Sequence, residues 1–167
     1  MKKEIITKRL RLSEIKAEDK ADLIRILSDE EVGRTYMVPD MTDAETQDKL
    51  FERLREISSS EHRFMYGIYL QNKLIGYIHE VIRKDNEIEL GYVIDSTQKG
   101  KGYATEALSA SIKELTKNGY CVTAGAFEEN PASLRVMEKC GMKLTGVTED
   151  IEYRGKAHKC IYMKVEK

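Results

Sequence analysis

Apolar and polar positions alternate from Ile5 to Leu12, with Leu10 and Leu12 on one side and Arg9 and Arg11 on the other. A period of two marks a half-buried strand. Leu23, Ile24, Ile26 and Leu27 then fall on helical spacing. Gly33 to Met41 is irregular and holds Pro39. Thr42 and Glu45 have the spacing of a capping box, opening a helix through Leu50, Leu54 and Ile57 that ends at Ser58, Ser59 and Ser60.

Three strands follow: Phe64 to Leu70, Leu74 to Ile82 and Ile88 to Ile94. Turns at Gln71-Asn72 and Lys84-Asp85-Asn86 join them, so a meander is the simplest topology. Asp95 to Gly102 is a polar, glycine-bearing loop. Ala104, Ala107, Leu108, Ser111 and Leu115 mark one face of a helix that Gly119 closes. Cys121 to Ala126 is a short strand, and Asn130-Pro131 reads as the N-cap and first residue of a helix ending at Gly141. Lys143 to Tyr153 and Lys156 to Val165 are two strands around Arg154-Gly155. Strands that first run together and later alternate with helices predict a mixed sheet with helices on both faces.

Composition narrows the function classes. The length of 167 residues suits one domain with a core that needs no disulfides. With 28 basic and 29 acidic residues the net charge is −1, which supplies no broad field for nucleic acid or an anionic membrane. No apolar run reaches the roughly 18 residues that span a bilayer. The charged, alternating start is unlike a signal peptide, so a cytoplasmic protein is expected. Cys121, Cys140 and Cys160 are scattered and form no CxxC pair. Reduced, buried thiols are the plain expectation, with a catalytic or metal role as the alternative.

The chemistry concentrates in the segment from Glu89 to Leu108, where a strand runs through a glycine loop into a helix. Glycines let backbone N–H groups turn toward an anion, and a helix N-terminus adds unsatisfied donors and partial positive charge. Lys99 and Lys101 add cations, so pyrophosphate is the natural ligand. A Walker loop is excluded, because Gly102 follows Gly100-Lys101 where Ser or Thr is required and Asp95 occupies the first glycine's place. A dinucleotide fingerprint would need Gly or Ala where Thr105 stands. A glycine turn without any ligand is the remaining reading.

Lys99-Gly100-Lys101-Gly102-Tyr103-Ala104 resembles the acetyl-CoA pyrophosphate loop of the GNAT acetyltransferases, (Q/R)xxGx(G/A), with Lys99 in place of Gln or Arg. Gly100 to Leu108 is similar to the Rim-type branch, which acetylates protein N-termini. Asn130-Pro131-Ala132-Ser133 through Glu138-Lys139-Cys140-Gly141-Met142 resembles that branch's NxxSxxVxEKxGF signature, and Arg9-Leu10-Arg11-Leu12 its first strand. The resemblance covers nearly the whole chain. It implies a single domain over residues 1–167: a mostly antiparallel α/β sheet, splayed at the acetyl-CoA site, with helices on both faces. It also implies that Val93 and Ile94 bond the pantetheine arm and that the N–H groups of Gly100, Lys101, Gly102, Tyr103, Ala104 and Thr105 hold the pyrophosphate. Asn130 would contact the pantetheine region, and no metal is implied.

Direct transfer of acetyl to an amine needs a base for the amine and a donor for the departing thiolate. Many GNAT enzymes carry a tyrosine acid where this chain has Met137. By resemblance to the Rim-type branch Ser133 would contact the thiolate; the alternative is that it caps its own helix. Glu89, on the strand leading to the loop, is the candidate base, with Glu87 and His79 as rivals. A solvated glutamate and a plain, partly exposed histidine are the alternatives, and His62 and His158 read as surface residues. Tyr36, Met37 and Met41 could wall the acceptor site, and Asp40, Asp43 and Glu45 could attract a cation. The acceptor is an amine, with a protein N-terminus the first expectation. Small amines such as polyamines or antibiotics are the alternative, as is a silent acyl-CoA-binding module. A monomer or homodimer is expected.

Overall fold

A computed structural model describes residues 2–165 of the chain. β1 (Ile5–Ile6) and β2 (Leu10–Ser13) are an antiparallel hairpin, with Ile5 opposite Leu12 and Ile6 opposite Arg11. The alternation from Ile5 to Leu12 is therefore two short strands, not the single one expected. Thr7 breaks it: its backbone N–H donates to the Leu10 carbonyl at 2.9 Å and its hydroxyl accepts from the Leu10 N–H at 2.9 Å. A hydroxyl that satisfies nearby backbone groups folds the chain into a turn. Arg9 is thereby carried out of the strand and onto that turn.

α1 (Lys20–Leu27) and a one-turn α2 (Glu30–Gly33) precede α3 (Ala44–Ser59). The expected capping box of Thr42 and Glu45 is not formed. Asp43 caps α3, accepting from the Thr46 N–H and hydroxyl, each at 2.8 Å. Thr42 instead donates its hydroxyl to Asp40 at 2.8 Å. A carboxylate at the N-cap also meets the positive end of the helix dipole, which favours Asp43 over a hydroxyl one residue earlier.

β3 (Met65–Leu70), β4 (Lys73–Lys84) and β5 (Glu87–Ile94) form the meander. α4 (Tyr103–Lys117), β6 (Cys121–Phe127), α5 (Pro131–Lys139), β7 (Lys143–Tyr153) and β8 (Lys156–Val165) complete the described chain. The eight strands make one sheet in the order β1-β2-β3-β4-β5-β6-β8-β7. Among the described residues only β5 and β6 pair in parallel, and the other pairings are antiparallel. One core includes Leu12, Ile68, Ile78, Leu90 and Val122 with Leu108 and Met137 of α4 and α5. The other includes Met65, Tyr69, Tyr77 and Val93 with Leu23 and Phe51 of α1 and α3. The expected mixed sheet with helices on both faces is the architecture observed.

The parallel pairing is short. It runs from Glu87 opposite Cys121 to Leu90 opposite Ala124. β5 then continues to Ile94 beside β4, while β6 continues to Phe127 beside β8. At the same level β4 is bulged: Glu80 faces Leu90 but Ile82 faces Glu89, so Val81 is the extra residue. Bulges sharpen the local twist of a sheet. Here the bulge lies beside the point where β5 leaves β6, and the two strands part into a cleft.

Glu106 in the first turn of α4 closes the N-terminal hairpin onto this scaffold. Its carboxylate accepts from the Thr7 hydroxyl at 2.6 Å, the Arg9 N–H at 2.8 Å and Arg9 Nε at 2.6 Å. Burial pushes its pKa upward, but the bonds from Thr7 and Arg9 and the Arg9 charge outweigh that and hold it below its ordinary 4.5. A depressed carboxyl pKa contributes stability that is present above the unfolded-state value and lost as pH falls through the folded one. Glu106→Gln is expected to cost about 1–2 kcal/mol at neutral pH. Denaturant titrations should show the gap between variant and wild type closing at acid pH below 4.5, and a pH-independent gap would mean that the Glu106 charge does not supply it. Among the described residues, no helix is long and apolar enough to cross a membrane.

Candidate active site

β5 delivers the chain to the glycine loop through Asp95. This buried carboxylate accepts from the Thr97 N–H and hydroxyl at 3.0 and 2.9 Å and from Arg25 of α1 at 2.6 Å. Burial raises its pKa, yet the Arg25 and Thr97 bonds pull it below the usual carboxylate value. Asp29 accepts from the Ser96 hydroxyl, and Lys99 pairs with Glu31 of α2 at 2.7 Å. Three contacts thus clamp the loop to the α1–α2 segment. From the other side Arg9 stacks on the Tyr103 ring at 4.6 Å and donates to the Lys101 carbonyl at 2.8 Å.

Gly100 and Gly102 have φ of +73° and +80°, the left-handed region that favours glycine. Gly102 is the N-cap of α4 and gives it no side-chain cap. The first intrahelical acceptor is the Gly102 carbonyl, which takes the Glu106 N–H at 3.0 Å. The N–H groups of Tyr103, Ala104 and Thr105 precede that bond, so an anion can take them. Glu106 is the acidic residue of this first turn, and its charge is turned away onto Thr7 and Arg9.

A cavity of about 500 Å³ extends from this loop into the cleft between β5 and β6. That is ample for a slender cofactor arm. Of the residues anticipated from sequence, Val93, Ile94, Lys99, Gly100, Gly102, Tyr103, Ala104, Thr105, Asn130 and Ser133 all border it. Lys101 does not, and its ammonium donates to Gln98 at 2.9 Å. The sequence reading missed Gln98, Tyr92, Gly125, Arg135 and Lys139 on the same wall. Arg135 and Lys139 are one helical turn apart on α5, a spacing that could have signalled a basic stripe facing the loop.

Asn130 caps α5, its Oδ1 accepting the Ser133 N–H at 3.2 Å. The Ser133 hydroxyl therefore does not serve as the cap; it lies 2.8 Å from the Tyr92 hydroxyl. Burial pushes the Tyr92 phenol up to about 12, so it stays protonated near neutral pH. Met137 is fully buried in the core and does not border the cavity.

Glu89, Gly91 and Val93 share the opposite face of β5. Gly91 and Val93 border the cavity; Glu89 lies two residues further along, outside its wall. Burial raises the Glu89 pKa above its ordinary value, and the negative charge of Glu149 adds to this. His79 faces Gly91 across the ladder. A Cβ at Gly91 would stand 2.9 Å from His79 Nε2, so only glycine fits there without displacing the ring. His79 is partly exposed, as the alternative had it, but its ring is engaged at both nitrogens. Its Nδ1 lies 3.1 Å from the Glu80 carbonyl and its Nε2 3.0 Å from the Tyr36 hydroxyl, and burial lowers its pKa. A carbonyl only accepts, so Nδ1 carries the proton, while the Tyr36 hydroxyl beside Nε2 donates to the Tyr77 hydroxyl at 2.9 Å.

Tyr36 borders the cavity as anticipated, whereas Met37 is exposed and Met41 is buried in the core. Asp40 and Asp43 are engaged by Thr42 and Thr46, and Glu45 pairs with Lys49, so none of the three faces the cleft. His158 is buried rather than superficial, stacked on Phe127 at 4.6 Å and paired with Glu129. Cys160 is buried, but Cys121 and Cys140 are only partly so, and all three are free thiols. Among the described residues, no group of three or more His, Cys, Asp or Glu is placed to hold a metal.

Residues 9–143 match the family described as Acetyltransferase (GNAT) domain. The chain belongs to the GNAT acetyltransferase family. The Bacillus subtilis protein named Uncharacterized N-acetyltransferase YnaD is 31% identical over 147 residues, covering 85% of this chain and 84% of its own. The fold of this GNAT chain is similar to that of RimL, the ribosomal L7/L12 alpha-N-protein acetyltransferase, with a TM-score of 0.84. That match has 18% identity and covers 99% of this chain and 94% of RimL. The microcin C7 self-immunity acetyltransferase MccE, solved with acetyl-CoA and AMP, gives a TM-score of 0.83 at 17% identity, covering 95% of this chain and 93% of its own. The family recognised from the glycine loop and the second motif is thus the one found, and the chain is an N-acetyltransferase.

The loop makes a direct prediction for this GNAT chain. Gly102→Val puts a branched side chain where φ is +80° and the nearest side-chain atom is Arg9 Nη2, 3.3 Å from the new Cβ. Acetyl-CoA affinity should fall on the order of 10-fold or more, beyond what the strained backbone costs in stability. Isothermal titration and thermal melting, run in parallel, separate the two. Equal losses would mean that the glycine serves folding alone.

Proposed function

We propose that this acetyltransferase moves the acetyl group of acetyl-CoA directly to a primary amine, the α-amine of a protein N-terminus. The observation that carries the reading is the cleft between β5 and β6, whose cavity runs from the anion-binding loop to Gly91, Val93 and Tyr36, with Glu89 just beyond its wall on the same face of β5 as Gly91 and Val93. The N–H groups from Gly100 to Thr105 take the pyrophosphate, with Lys99, Arg135 and Lys139 nearby. Lys101 contributes its backbone and not its charge. Val93, Ile94 and Asn130 line the path of the pantetheine arm.

Glu89 accepts the amine's proton through water, because it stands outside the cavity wall. Its raised pKa makes it a stronger base than an ordinary carboxylate. Ser133 donates a hydrogen bond to the departing thiolate. The N-terminal acceptor is supported by the NxxSxxVxEKxG run, the Rim-type feature of the sequence, and by the fold shared with RimL. Reduced cysteines suit a cytoplasmic setting.

The two carboxylates Glu89 and Glu149 favour a second reading, a small polycationic amine. An acceptor screen decides between them. Peptides with free N-termini, spermidine and an aminoglycoside are offered with acetyl-CoA, and release of free thiol is scored. Turnover with peptides and not with spermidine is the expected result; tight acetyl-CoA binding with no release would mark a silent module. With the best acceptor, Glu89→Gln should lower kcat/KM by roughly 10²-fold at unchanged acetyl-CoA affinity. An unaltered rate and pH profile would remove Glu89 and direct attention to His79.

A further inference from the structure

The GNAT tyrosine acid of α5 is missing, but a phenol reaches the cavity from another element. Tyr92 projects from β5 on the α4–α5 side of the sheet and borders the cavity together with Ser133. Its hydroxyl lies 2.8 Å from Ser133 Oγ and 3.2 Å from the Ser133 carbonyl oxygen. Both partners belong to one residue at the third position of α5. The carbonyl can only accept, so the Tyr92 proton is directed at Ser133 whichever oxygen takes it. The Ser133 N–H is already given to Asn130 at 3.2 Å. With the Tyr92 proton on Oγ, the shorter contact, Ser133 is held from two directions and its hydroxyl keeps one proton to give; with it on the carbonyl, the serine hydroxyl would be spent on Tyr92.

We propose that Tyr92 is a positioning residue: by donating to Ser133 it turns the serine O–H toward the sulfur that leaves the acetyl group. The inference rests on the thiolate role proposed for Ser133. In the transfer step the amine nitrogen bonds the acetyl carbon and the C–S bond breaks with its electron pair on sulfur. The nitrogen's surplus proton leaves through water toward Glu89. Sulfur departs as thiolate, hydrogen-bonded by Ser133, and neither Ser133 nor Tyr92 loses its proton. A rotating hydroxyl would have to be ordered at each turnover; one fixed beforehand acts as an oxyanion-hole donor does, without reorganisation.

The test needs no acceptor. Coenzyme A is bound to the intact protein, and ionisation of its thiol is followed by thiolate absorbance against the unliganded protein. A hydrogen bond to sulfur favours the thiolate, so losing it should raise the bound thiol's pKa by roughly one unit or more. The expected result is such a rise in both Tyr92→Phe and Ser133→Ala, with no further rise in the double variant. With an acceptor from the screen, both single variants should show kcat reduced about 10-fold or more at unchanged KM for acetyl-CoA. A rise in Ser133→Ala alone overturns the positioning role and leaves Ser133 in place. A rise in Tyr92→Phe alone puts the phenol itself on sulfur and overturns the proposal. No rise in either removes Ser133 from the thiolate and Tyr92 with it. Tyr92→Phe removes a single oxygen, and its melting temperature and coenzyme A affinity, both expected near wild type, separate lost positioning from lost packing.

Discussion

The site depends on one interrupted interaction, the parallel pairing of β5 with β6. It holds from Glu87 to Leu90 and then stops, although both strands continue. A strand that leaves its neighbour keeps half its backbone donors and acceptors, and these need partners. Burying them unpaired would be costly, whereas an extended arm carrying amide groups can supply what the missing strand would have given. The bulge at Val81 lies on the far side of β5 at the same level. β4 and β6 thus pull β5 in different senses there, with β4 twisting and β6 turning away to follow β8. The cleft is a consequence of sheet geometry and needs no cavity carved among helices.

The anion end of that cleft is built by subtraction as well as addition. Gly100 and Gly102 remove side chains where the backbone must approach a ligand, and α4 begins with no side-chain cap. The nearby charges are then sorted. Glu106, which a helix N-terminus would otherwise draw toward its own N–H groups, is taken by Thr7 and Arg9. Arg9 in turn holds the Lys101 carbonyl, and Asp95 is neutralised by Arg25. The negative groups nearest the loop are all committed elsewhere, which leaves the N–H donors and the α5 cations facing the cavity. Beyond any stability they add, these pairs set the local potential and the placement of the loop.

Much of this was legible in the chain because local rules and tertiary structure agree there. The meander, the glycine loop, the Asn130-Pro131 start of α5 and the final hairpin are set by period, turn chemistry and caps. The failures have equally local causes. Thr7 bends a segment whose alternation alone reads as one strand, and Asp43 outcompetes Thr42 for the N-cap because charge meets the helix dipole. Placing Lys101 away from the cavity requires knowing where Gln98 lies. The partners of His79 and Ser133 come from distant segments, and no spacing rule links Tyr36 to His79 or Tyr92 to Ser133. The order of elements follows from short-range pattern, but the second partner of each site residue follows from the register of a sheet whose strands are far apart in sequence.

That register has a chemical consequence in the alternation along β5. Side chains of a strand point to opposite faces in turn. Glu89, Gly91 and Val93 fall on the side of α1–α3, and Tyr92 falls on the side of α4 and α5. Acyl transfer needs a proton acceptor near the amine and a hydrogen-bond donor near the sulfur, and the two must not neutralise one another. One strand separates them by its own thickness, with the cleft beside it open to both faces. A carboxylate on the α4–α5 face would stand next to Tyr92 and Ser133, take their protons in hydrogen bonds and oppose a departing thiolate by like charge. On the face it occupies, burial and then the negative charge of Glu149 raise the basicity of Glu89, while Tyr92 and Ser133 stay on the other side. The period of two that makes β5 a strand thus also keeps the proposed base apart from the proposed hydrogen-bond donors to sulfur.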